Sequence, residues 1–159
     1  MFFFFLVNLF LNLKCFFLRM NEVEKIKNIG NVFFKNKQYK EAIEKYLEAD
    51  AALLSIDETD EKLEMKRKLM CNLAKCRINL EDYDRALCDL DPDEYKGDNV
   101  DTSCLQAICY IYKNEKEKAK NYILQAIKLN KEEDDSDQFF NDKKIEEVQK
   151  KYNQKFIIK

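Results

Sequence analysis

The chain has 159 residues, with 28 Lys and Arg against 30 Asp and Glu, and its net charge of −2 argues against a nucleic-acid binder. Only 2 Gly and 1 Pro are present, too few for the tight turns of a many-stranded β fold, while 36% charged and 46% hydrophobic residues suit helices with solvated faces. There is no His, no Gly-rich phosphate loop and no nucleophile elbow around Ser55, Ser103 or Ser136, so the composition argues against an enzyme. The cysteines, Cys15, Cys71, Cys76, Cys88, Cys104 and Cys109, form no CxxC pair; neither a metal site nor a cofactor is expected, and reduced thiols fit a cytoplasmic protein.

Residues 1–18, MFFFFLVNLFLNLKCFFL, are set apart from everything that follows. The run is about long enough to span a bilayer, but Asn8, Asn12 and Lys14 interrupt it. No basic residue precedes it and no small-residue cleavage site follows, which speaks against a cleaved signal peptide. Two readings stay open for residues 1–19: a gene-model artefact, with Met20 as the start, or a signal anchor that leaves the rest of the chain facing the cytosol.

The first regular helix is expected from about Glu22 to Lys35, with Val23, Ile26, Ile29, Gly30 and Phe33 on one face. Gln38 and Tyr39 lie at a turn, and a second helix runs from Lys40 to about Ile56. After an acidic connector at 57–61, a third helix spans about Leu63 to Leu80. The fourth begins at Asp82 and must stop near Asp91, because Pro92 follows. Residues 92–99 read as a loop; the fifth and sixth helices cover about Val100–Lys113 and Glu115–Leu129. An acidic linker at 131–137 leads to a last helix from Asp142, whose stripe of Ile145, Val148, Tyr152 and Phe156 suits a cap. The domain organisation expected is therefore 1–19, an apolar segment; 20–130, the repeats; and 131–159, the linker and capping helix.

A pattern recurs in three of these hairpins. A small residue is followed twelve positions later by Ala, in Gly30 and Ala42, Ala74 and Ala86, and Ala107 and Ala119. A bulky apolar residue follows each Ala by four: Tyr46, Leu90 and Ile123. Small residues at fixed offsets let two antiparallel helices approach closely, and a fixed period marks a stacked repeat. The pattern resembles the tetratricopeptide repeat (TPR). The first copy matches it at Gly30, Asn31, Phe33, Tyr39, Ala42, Tyr46 and Ala49; the third has Lys116 where a turn aromatic is expected. The resemblance implies an all-α, right-handed superhelix of three helix-turn-helix repeats plus the capping helix. The extra length between the first two repeats looks like the co-chaperone repeat domains of large immunophilins, without their isomerase domain.

That resemblance also implies a function: a non-catalytic adaptor binding a peptide in a concave groove, the EEVD C-terminus of heat-shock protein 70 or 90 foremost. Lys27, Asn31 and Asn72 match three residues of the family's carboxylate clamp, a lysine for charge and amides for hydrogen bonds. Lys68 and Lys75 lie on the same face of the second repeat; Leu105 and Ile108 line the third. There Asp101 and Leu105 stand where the clamp has a lysine and an arginine. The alternatives are a scaffold for an unrelated protein partner and a membrane-anchored import receptor using residues 1–18. No nucleic acid is expected as a partner, and a membrane only if those residues are a real anchor.

Overall fold

The structure, a computed structural model, describes the backbone of residues 2–94, 97–132 and 135–157, and the side chains of 13–93, 97–132, 137 and 141–157. Part of the expected acidic linker, residues 133 and 134, lies outside them, as do the side chains of residues 1–12. The described residues form α1 (Phe2–Lys35), α2 (Tyr39–Leu53), α3 (Asp60–Asn79), α4 (Tyr83–Asp89), α5 (Val100–Tyr112), α6 (Lys116–Asn130) and α7 (Asp135–Phe156), with a short 3-10 turn at Pro92–Glu94. No strand occurs among them: the protein is all-α, as the composition requires. Two compact units divide inside α3, Met1–Cys76 and Arg77–Lys159.

Three tight turns carry the repeat register. Lys37, Glu81 and Asn114 each lie seven residues after the small residue of their copy, and each is left-handed, with φ of 60, 61 and 63°. The next amide in each case reaches back five residues: Gln38 N to the Phe33 carbonyl at 3.0 Å, Asp82 N to Arg77 at 2.9 Å, Glu115 N to Tyr110 at 2.9 Å. This is the Schellman end of a helix, which satisfies otherwise orphaned carbonyls and turns the chain back on itself. None of the three is glycine, so each L-residue bears a backbone cost of about 1–2 kcal/mol, least for asparagine. Glu81→Gly is therefore expected to raise stability by up to about 1 kcal/mol, seen as a small upward shift in melting temperature.

In the first unit α1 packs on α2, and the contact is close because Gly30 has no side chain. A Cβ there would lie 2.7 Å from Cε1 of Tyr46, a ring only 1% exposed. Ala42, Ala49, Leu53 and Val23 complete this seam, and Leu69, Leu73, Ala74 and Cys76 form the buried face of α3. In the second unit α5 packs against α6, and α7 packs against both. One core joins Val100, Cys104, Ala107 and Ile111 of α5, Ala119, Ile123 and Ala126 of α6, and Ile145, Val148 and Tyr152 of α7. The start of α5 is fixed by a capping box: Asn99 Oδ1 accepts from Thr102 N at 2.8 Å, and Thr102 Oγ1 accepts from Asn99 N at 3.0 Å.

Four boundaries differ from the sequence expectation. The first helix begins at Phe2, twenty residues before Glu22, because residues 2–21 contain no Gly or Pro to interrupt it. The second helix ends at Leu53, with Leu54–Ile56 in successive turn hydrogen bonds to Ala51, Ala52 and Leu53. The third starts at Asp60, within the expected connector, since acidic residues suit a first turn. The last helix starts at Asp135, inside the expected linker, for the same reason. No helix among the described residues is long and apolar enough to cross a membrane.

Candidate peptide-binding site

Helix periodicity sets Glu24, Lys27, Asn28 and Asn31 on one face of α1, three and four residues apart. The structure links all four. Lys27 Nζ donates to both carboxylate oxygens of Glu24 at 2.7 Å. Asn28 Nδ2 donates to Glu24 Oε1 at 3.3 Å, and Asn31 Nδ2 to Asn28 Oδ1 at 3.2 Å. The Asn31 oxygen takes two bonds, from the Tyr46 hydroxyl at 2.8 Å and from Asn72 Nδ2 of α3 at 3.3 Å. Three of the sequence-predicted residues, Lys27, Asn31 and Asn72, thus belong to one polar network within the first unit.

The network has a definite polarity. The Asn31 oxygen is used inward and one N–H of its amide goes to Asn28, which leaves the second N–H for a ligand. Burial, and secondarily the nearby Cys76, raises the Tyr46 phenol far above its ordinary pKa, so the hydroxyl stays a donor. Lys27 is mostly covered, with 12% of its side chain exposed, whereas its partner Glu24 is 42% exposed. An incoming carboxylate therefore meets a lysine already engaged by an internal carboxylate. The sequence reading of Lys27 missed that Glu24 occupies it, although the i,i+3 spacing carries that signal. It also read Tyr46 as gap-filling bulk alone and missed its bond to Asn31.

The other predicted residues are more scattered. Lys68 is exposed and lies 3.4 Å from Glu64. Lys75 is partly buried on the same face of α3 as Asn72. In the second unit Leu105 is only 8% exposed, and Ile108 packs at the edge of the α5–α6–α7 core. Neither presents the open apolar wall that the sequence suggested. Asp101 does not stand alone either: Lys144 of α7 donates to its Oδ1 at 2.7 Å, so the negative charge is neutralised by the last helix. Of the thiols, Cys104 and Cys109 are pushed up to about 12 by burial, which keeps them protonated and inert.

The architecture defines the class first: helical hairpins in a common register, closed by equivalent turns. Residues 100–133, which span α5 and α6, match the family model of the tetratricopeptide repeat. The fold is similar to the C-terminal TPR-containing domain of a Plasmodium falciparum FK506-binding protein, with a TM-score of 0.62 and 24% sequence identity over 86% of this chain and 91% of that one. The fold is thus that of a TPR domain, the architecture of protein–protein interaction modules, as the recurring small residues led us to expect.

Proposed function

We propose that this chain is a non-catalytic adaptor that binds the acidic C-terminus of a protein partner, the EEVD end of a heat-shock protein 70 or 90 being the foremost candidate, and so acts as a co-chaperone. The observation that supports it is the Lys27–Asn31–Asn72 network. Tyr46 orients the Asn31 amide before any ligand arrives, Asn31 in turn holds the amide of Asn72, and a cation sits one helical turn away. Preorganised donors beside a lysine are what a terminal carboxylate needs, since little ordering is lost on binding. None of the six cysteines is in a disulfide, which fits a reducing compartment such as the cytosol.

Lys27→Ala removes one charge-assisted bond of ~1.5–3 kcal/mol, so affinity for an EEVD peptide is expected to fall roughly ten- to a hundredfold. Glu24→Ala frees the same lysine and is expected to tighten binding severalfold, measured by calorimetric titration. Tight EEVD binding that ignores both substitutions would sink the clamp. One observation favours the scaffold reading instead: with Asp101 paired to Lys144 and Leu105 buried, the third repeat brings no free cation at those two positions. A partner contacting α5 there would then gain little from acidic side chains upstream of its carboxylate. Equal affinity for EEVD and for a peptide with neutral residues before the terminal carboxylate would support that reading.

A further inference from the structure

The first half of α1 has a surface that the peptide-binding site does not use. Arg19 donates through its guanidinium to the Ser55 carbonyl, just past the end of α2. Upstream of it Leu13, Phe17 and Leu18 stand 48, 61 and 60% exposed. With Lys14 and Asn21 they line an apolar depression on α1. Water is a poor neighbour for three large apolar side chains within six residues, each worth ~1.5–3 kcal/mol when buried.

The sequence pattern decides what covers them. A partner helix or a protein groove requires an apolar stripe repeating at three and four residues. Here the apolar residues are contiguous in the sequence at 2–7, 9–11 and 15–18, with no spacing of three and four that would confine them to one stripe. A medium that surrounds the helix fits this pattern; a protein that touches one side does not. The charges agree. No acidic residue precedes Glu22, whereas Lys14 and Arg19 are basic, with Lys25 and Lys27 beyond them.

We propose that residues 2–18 of α1 insert into a lipid bilayer with anionic headgroups, with Lys14 and Arg19 reaching the headgroup layer. Their long apolar stems allow the charged ends to stay in water while the helix enters the lipid. Glu22 and the residues after it stay outside, so α1 joins the anchor to the first repeat without a flexible linker. This inference is independent of what the repeats bind.

The test is flotation of the 159-residue chain with vesicles of phosphatidylcholine alone or with one-third phosphatidylserine. The chain is expected to float with the vesicles, more completely with the anionic set. Phe17→Asp with Leu18→Asp, both at exposed positions that leave the packing intact, is expected to reduce the floated fraction at least tenfold. Lys14→Glu and Arg19→Glu are each expected to weaken binding to anionic vesicles about fivefold and to erase the preference for them. Circular dichroism checks that each variant remains helical. A wild-type chain that stays at the bottom of the gradient with both lipids overturns the proposal. So does flotation unchanged by the paired aspartates. A defined oligomer that does not float assigns the surface to a second copy of the chain and overturns it equally.

Discussion

Deleting residues 141–159 is expected to lower the melting temperature by more than ~10 °C, or to prevent the second unit from folding. Ile145, Val148 and Tyr152 are 5, 3 and 8% exposed, and all three lie in the core shared with α5 and α6. Each is worth ~1.5–3 kcal/mol of burial, and a single domain holds only ~5–15 kcal/mol in reserve. The deletion also uncovers Val100, Cys104, Ile111 and Ile123 and leaves Asp101 without Lys144. A loss of 1 kcal/mol shifts the melting point of a chain this size by ~2–4 °C, so the combined loss is large enough to see by calorimetry. Ile145→Ala alone should cost ~2–5 kcal/mol. An unchanged melting curve after deletion would mean that α7 contributes nothing to the core.

The second large effect is expected at Gly30. Gly30→Val would place Cβ within 2.8 Å of two Tyr46 ring carbons, and that ring is itself enclosed. Overpacking of this kind costs ~1–3 kcal/mol, and the two further methyl groups bring the expected loss to about 3 kcal/mol. Tyr46→Ala should cost ~3–5 kcal/mol through its cavity, and it also removes the 2.8 Å bond to Asn31. The two changes touch one contact, so they are expected to be non-additive: the double variant should be more stable than the separate losses predict. Simple additivity in a chemical-denaturation series would show that the ring and Gly30 do not meet. Tyr46→Phe keeps the volume but not the hydroxyl. It should change stability by only about 1 kcal/mol while loosening Asn31 and weakening the peptide.

The repeats were legible in the sequence because close helix packing imposes residue size at fixed intervals. Gly30, Ala74 and Ala107 are each buried or enclosed, as are Ala42, Ala86 and Ala119, so their spacing reports the hairpin directly. The turns were less legible. Lys37 and Glu81 adopt a conformation that glycine favours, and neither residue type advertises it. The starts of α3 and α7 were misplaced because acidic residues read as linkers also make good first helical turns. At the candidate site, the resemblance to the family's carboxylate clamp singled out Lys27, Asn31 and Asn72. Pairing was not visible. Whether a lysine is engaged depends on rotamers, as with Glu24 and Lys27, and on which distant helix comes near, as with Lys144 and Asp101. Nor does a sequence distinguish a groove position from a core position four residues away on one helix, which is why Leu105 was read as open and is buried.

The central claim is that Lys27, Asn31 and Asn72 hold a terminal carboxylate, and one comparison tests it most directly. An EEVD-ended peptide is titrated into the 159-residue chain, and the same peptide is then titrated with its C-terminus converted to a carboxamide. The account predicts measurable binding for the free carboxylate and a loss of at least tenfold for the carboxamide, about 1.4 kcal/mol or more. The loss should largely vanish in Lys27→Ala, because the lysine can then no longer distinguish the two ends. Equal affinity for the two peptides, or no binding of either, would contradict it.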